Sequence, residues 1–141
     1  MDEKSNQRFN DGLSVRRKVL GPTYVDNAFA NAKGDSMSEE LQRMVTEFGW
    51  GVAWTRPGLS LKTRSMLNLA ILTALNRPHE FETHLRGALT NGVSHEEIKE
   101  ILFHSAVYCG WPAAIDSFRI VKRVLAETEP SLTSEDRRKR L

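Results

Sequence analysis

Arg77, Glu80 and His84 stand at i, i+3 and i+7, so on a helix they share one face. A carboxylate one turn from an imidazole can hold the ring's tautomer and raise its pKa, which suits a proton donor near neutral pH. A structural role fits the same residues. Glu80 in a first helical turn favours the helix dipole, and a histidine beside Phe81, Leu85 and Ala88 is often a hydrogen-bonded core residue.

Three other segments carry groups suited to binding an anion. In Trp50-Gly-Val-Ala-Trp54-Thr-Arg56-Pro57-Gly58, two tryptophans and an arginine flank a Pro-Gly turn. They suit either the wall of a pocket for a flat anion or packing against a helix end. Arg64 lies near the start of an otherwise apolar helix and needs a partner or a water-filled cavity. A bidentate grip on a carboxylate and an ion pair with a neighbouring helix both satisfy it. Tyr108-Cys109-Gly110-Trp111-Pro112 reads as a glycine turn feeding a helix start, which either offers N–H groups to an anion or simply joins two helices. Cys109 has no base nearby in sequence and reads as a small buried thiol. The four histidines show no metal-ligand spacing, and His95, just inside a capping box, is expected to be exposed.

The elements that must position these groups are helices, about six in number. Strand-like alternation and hairpin dipeptides are not evident, whereas the 3.6-residue period recurs. Phe9, Leu13, Arg16, Val19 and Leu20 predict a first helix closed by Gly21-Pro22, and a short one follows from about Tyr24 to Ala32. Ser36 and Glu39 read as a capping box, opening a helix with Leu41, Met44, Val45, Phe48 and Val52 on its inner face. The helix from about Leu61 to Leu75 is apolar on nearly every side, as in a central or subunit-covered helix. Pro78 starts the next, which stops at Asn91-Gly92. Ser94 and Glu97 form a second box before a helix burying Ile98, Ile101, Leu102, Ser105 and Tyr108. Pro112 starts the last, with Ala114, Ile115, Phe118, Val121 and Leu125 inward. The expected division is a helical domain over 1–127 and a charged, mobile tail over 128–141.

Composition narrows the class. At 141 residues the chain has room for one core. Lys and Arg total 20 against 18 Asp and Glu, and removing Glu135–Arg140 leaves 16 of each. The basic pI near 8.9 therefore comes from that terminal run, and nucleic-acid binding gains little support. The apolar stretch Met66–Leu75 is too short to span a bilayer, and the polar N-terminus does not resemble a signal peptide. One cysteine allows no intrachain disulfide, so a cytoplasmic setting is expected.

Taken together, the segments resemble the 4-carboxymuconolactone decarboxylase family. The resemblance rests on Trp54-Thr-Arg56-Pro57-Gly58-Leu59, Thr63-Arg64-Ser65, Asn76-Arg77, the run His84–Gly92, Glu96-Glu97-Ile98 and Tyr108-Cys109-Gly110-Trp111-Pro112. Gly12–Gly21 also fits, and coverage runs from about Asp11 to Leu125. Related alkylhydroperoxidase-D-like proteins carry Cys-x-x-Cys-x-x-x-His on the corresponding helix. Counting back from His84 gives Glu80 and Arg77 instead, so a thiol-dependent peroxidase is disfavoured. A non-catalytic helical oligomer is the third reading.

The resemblance implies an all-α, alkylhydroperoxidase-D-like bundle that assembles into homo-oligomers, trimers or hexamers. It implies cofactor-free decarboxylation of a lactone carboxylate to 3-oxoadipate enol-lactone, with no metal. Electrons released with CO₂ spread through the ring double bond onto the lactone oxygen, so the substrate is its own electron sink. In that scheme arginines among Arg56, Arg64 and Arg77 bind carboxylates, and Trp54, Tyr108, Gly110 and Trp111 line the pocket. His84 delivers the proton and Glu80 orients it.

Overall fold

The computed structural model describes residues 2–129. Among them the chain is all-helical, with seven α-helices and one π-helix: α1 (Glu3–Leu20), α2 (Pro22–Ala32), α3 (Ser36–Met44), the π-helix (Val45–Trp54), α4 (Leu61–Ala74), α5 (Pro78–Thr90), α6 (His95–Cys109) and α7 (Trp111–Thr128). The chain divides into two compact units between Leu61 and Lys62.

In the first unit, α1 begins earlier than its apolar period, because Asp2 caps it by accepting the Ser5 N–H. Gly21, at φ 86°, turns the chain into Pro22 at the start of α2. The cap of α3 is Asp35 rather than Ser36: the Asp35 carboxylate accepts the Ser38 N–H at 3.2 Å. Glu39 reaches back to the Gly34 N–H at 2.9 Å instead of completing a box with Ser36.

After α3 the chain continues as a π-helix, which changes what faces inward. Its i→i+5 bonding breaks the 3.6-residue period on which the expected inner face was based. Leu41, Met44, Val45, Phe48 and Val52 are exposed, while Thr46, Glu47, Trp50 and Gly51 are buried. Gly12 of α1 and Gly51 let the two backbones meet. A Cβ on Gly12 would collide with the Thr46 carbonyl oxygen, and one on Gly51 with that of Arg8.

Burying Glu47, only 3% exposed, requires strong compensation. Arg8 donates to it from Nε at 3.0 Å and from a terminal nitrogen at 2.7 Å, and Ser5 from Oγ at 2.9 Å. Burial works to raise its pKa. Those hydrogen bonds, with the charges of Arg8 and Arg43, outweigh it and hold the carboxyl below its ordinary value. Arg16, 5% exposed, donates to Thr46 Oγ1 and Gln42 Oε1 and lies over the Phe29 ring.

In the second unit the core gathers Leu69 of α4, Phe81 and Leu85 of α5, Ile98 and Leu102 of α6, and Val121 and Val124 of α7. The buried row of α4 is Ser65, Leu69 and Thr73, while Leu67, Ile71 and Leu75 are exposed. Two polar residues can lie inward because each finds a partner: Thr73 bonds Ser117 of α7 at 2.9 Å, and Ser65 accepts from Asn91. Asn76, at φ 52°, turns the chain toward α5.

The box at Ser94 and Glu97 is present in both directions. Tyr108, expected inward, is instead 80% exposed, because Ser105 and Ala106 occupy the buried side of the last turns of α6. Ile115 is likewise exposed, whereas Ala114, Val121 and Leu125 are buried. His95, expected to be exposed, is half-buried, with Nε2 3.5 Å from the Glu129 carboxylate. Helix α7 runs through Thr128, one residue past the expected domain end, and 130–141 of the expected tail lie outside the described residues. No helix among the described residues is long and apolar enough to cross a membrane.

Candidate active site

His84 sits in the second turn of α5, half-buried. Pro78 starts the helix, where its missing N–H costs nothing, and the Arg77 carbonyl accepts the Phe81 N–H at 2.9 Å. Glu80 and His84 share a face of α5, whereas Arg77 is its N-cap and lies outside the helix; Arg77 and Glu80 are exposed.

One side chain hydrogen-bonded to the ring belongs to another helix. Asn68 of α4 brings its Nδ2 to 3.2 Å from His84 Nδ1. An amide NH₂ only donates, so this contact is a hydrogen bond when Nδ1 accepts, as it does in the neutral ring with its proton on Nε2. Burial lowers the His84 pKa and the nearby charge of Glu80 raises it; burial is the larger influence, and the pKa falls below its ordinary value. This is opposite in sign to the rise expected from Glu80 alone.

Arg64, half-buried, precedes Asn68 by four residues and so stands one turn away on the same side of α4. At the far end of α5, Asn91 donates to Ser65 Oγ at 2.9 Å, a second tie to α4. An open groove of about 470 Å³ also flanks α4, lined by Thr63, Met66 and Ala70 with Ile101, His104 and Ser105 of α6.

Trp54 and Arg56 belong to the first unit, where with Asp11, Ser14 and Val15 of α1 they line a recess of about 500 Å³. Trp54 also stacks on Trp50, ring centroids 4.6 Å apart. Gly110, at φ 96°, joins α6 to α7, and its N–H closes α6 on the Ala106 carbonyl at 3.0 Å. Trp111 meets Phe103 edge-on at 6.5 Å and is largely exposed, as is Tyr108, whose ring lies 5.0 Å from that of His104. No group of three or more His, Cys, Asp or Glu suited to a metal ion occurs among the described residues.

Comparison with known proteins gives the family. Residues 39–123 match the model of the carboxymuconolactone decarboxylase family. The chain belongs to that family. It is 36% identical over 121 residues to a 4-carboxymuconolactone decarboxylase of Acinetobacter baylyi, covering 86% of this chain and 89% of that one. It is 40% identical over 124 residues to a nitrosuccinic acid decarboxylase of Metarhizium robertsii, covering 88% and 85%. Both relatives are decarboxylases, and this member of the family is a carboxy-lyase.

Asn68 is the neighbour of His84 that sequence reasoning missed. Its signal was present: a polar residue four positions after Arg64 in a helix otherwise read as apolar.

Proposed function

We propose that this carboxy-lyase converts 4-carboxymuconolactone to 3-oxoadipate enol-lactone, in the cytoplasm, during the breakdown of aromatic compounds through protocatechuate. The observation that carries the reading is His84, half-buried and hydrogen-bonded by Asn68 beside Glu80, in a family member 36% identical to a 4-carboxymuconolactone decarboxylase.

The substrate is a dianion whose quaternary ring carbon bears the departing carboxylate. As the C–C bond to CO₂ breaks, its electron pair passes through the ring double bond to the lactone oxygen. The carbon next to the carbonyl then takes up one proton, drawn in net from solvent, so that the dianion and one proton leave as CO₂ and a monoanion. The enzyme has to orient the two carboxylates and bring hydrogen-bond donors to the oxygen where charge develops. In this proposal Arg64, Arg77 and Arg56 are the carboxylate ligands. Trp54, Tyr108, Gly110 and Trp111 form the walls. His84 brings a ring N–H to the reacting end, and Glu80 tempers the effect of burial on it. No cofactor is needed, because the conjugated lactone accepts the electrons. The working form is a homo-oligomer, a trimer or hexamer.

The test is CO₂ release together with the fall in substrate ultraviolet absorbance, using purified protein. Nitrosuccinic acid serves as the comparison substrate, since it too is a dicarboxylate with a built-in electron sink. Turnover of the lactone with kcat/KM well above that for nitrosuccinic acid is expected. Preference for nitrosuccinic acid, or no CO₂ from either, overturns the proposal.

A further inference from the structure

We propose that Asn68 is a positioning residue: by donating from Nδ2 to His84 Nδ1, it holds the ring as a neutral Nε2–H donor for the lactone oxygen. The inference deepens the reading above and rests on it.

The argument turns on which way the hydrogen bond runs. A carboxylate beside Nδ1 accepts a ring proton and stabilises the imidazolium. Asn68 offers hydrogen atoms instead, so a second ring proton would have to enter where an NH₂ group already points. The neutral, Nε2-protonated ring is the form that this contact favours, and burial favours it too. The position of Asn68 has little else to explain it: α4 buries Ser65, Leu69 and Thr73, and Asn68 stands beside that row, half-buried and facing α5.

A neutral donor suits the reaction better than a cation. An imidazolium beside a dianionic substrate would strengthen its hold on the very charge that must be lost, stabilising the ground state. A neutral N–H gains most as charge develops on the lactone oxygen, as in other enzymes that use neutral imidazole as an electrophile. Glu80 lies one turn away on α5, and Arg64 one turn before Asn68 on α4. From α7, Arg123 and Glu127 engage Glu82 and Arg86 of α5.

The experiment combines nitrogen NMR of the histidine rings with kinetics, for wild type, Asn68→Asp and Asn68→Ala, with His84→Ala for assignment. In substrate-free wild type near neutral pH, His84 is expected to be neutral with its proton on Nε2. Asn68→Asp should move that proton to Nδ1 and raise the ring's titration by roughly a pH unit or more. kcat should fall about tenfold or more, with KM changed far less. Asn68→Ala should mix the tautomers and lower kcat, giving the same readouts should the aspartate variant fail to fold. A proton on Nδ1 in the wild type overturns the inference. So do unchanged tautomer and kcat in both variants, or a tautomer that shifts while kcat does not. The NMR reading needs no turnover, so it stands apart from the choice of substrate. If His84→Ala abolishes turnover while the Asn68 variants keep it, the present inference alone fails. If His84→Ala keeps turnover, the placement of His84 in the chemistry fails with it.

Discussion

Asn91 donates its side-chain Nδ2 to Ser65 Oγ at 2.9 Å, fastening the end of α5 to α4. Ser65 is fully buried and lies one turn before Leu69, at the core. Removing the hydroxyl takes an acceptor from Asn91 without creating a large void. Ser65→Ala is therefore expected to cost about 1–2 kcal/mol, read as a lower urea midpoint at unchanged m. A variant as stable as wild type would show that the tie contributes nothing.

His84→Ala should leave the fold intact and lower turnover by roughly 10²-fold or more, the scale for losing a proton-handling or oxyanion-stabilising side chain. Circular dichroism checks the fold and CO₂ release checks the rate. Near-normal turnover in the folded variant would point to another donor, with Tyr108 the next to change.

The lowered pKa of His84 has a consequence for stability. The unfolded ring titrates near its ordinary value of 6.5, the folded ring at lower pH. In the interval the unfolded chain holds more protons, so stability is full above about pH 6.5 and declines as the pH falls. The carboxyls of Glu47, Glu82 and Glu97 are held below their ordinary 4.5, and their contribution is lost only as the pH falls through and below that value. Comparing the change in Tm between pH 7.5 and 5.5 in wild type and in His84→Gln isolates this imidazole from those of the other histidines. Wild type should lose more than His84→Gln, and equal losses would contradict the argument.

Gly12→Ala should be among the most damaging single-methyl changes in the first unit. The new Cβ meets the backbone of Thr46 and Gly51, which cannot swing aside as a side chain can. Overpacking of this kind costs on the order of 1–3 kcal/mol or more. Gly49→Ala, where a Cβ meets open space, is the control and should lose much less. Thermal melts of the two variants make the comparison.

Exposed apolar side chains support self-association. Leu67 and Ile71 of α4 continue to Leu75 just after it, and Phe103, Val107 and Trp111 form another row on α6 and the start of α7. Patches of this kind mark interfaces. Sedimentation should find a multiple of the 16.0 kDa chain, and Ile71→Glu should shift it to smaller species. A stable, active 16.0 kDa wild-type species would refute the assembly.

Helix boundaries were legible in the sequence wherever punctuation was chemical. Pro78, Ser94 with Glu97, and the glycines at 21 and 110 mark ends that the structure keeps. Inner faces were legible only where the helix was regular. Phe81, Leu85, Ile98 and Val121 are buried as their spacing predicts. The stripe from Leu41 to Val52 is not: Val45, Phe48 and Val52 fall in the π-helix, where the 3.6-residue period no longer applies, and Leu41 and Met44 lie on α3, which buries none of its residues. Exposed apolar residues such as Tyr108 and Leu75 mislead for another reason: spacing reports which residues avoid water, not whether this chain or a second copy covers them. At the candidate site, His84 and Glu80 could be read from one helix, whereas Asn68 is joined to His84 by a tertiary contact across 16 residues of chain.

The π-helix also limits which changes of length the gene can accept. Dropping one residue between Val45 and Trp54 would let the segment relax toward an ordinary α-helix, since a π-turn holds one residue more than its α counterpart. The part of the segment after the deletion would then rotate by about a quarter turn or more relative to α1. Depending on where the cut fell, Glu47 would be carried away from Arg8 or Gly51 away from Gly12. Substitutions on the outer side of this segment are thus mild accidents, while single-codon deletions within it strike the ion pair and the backbone contact of the first unit.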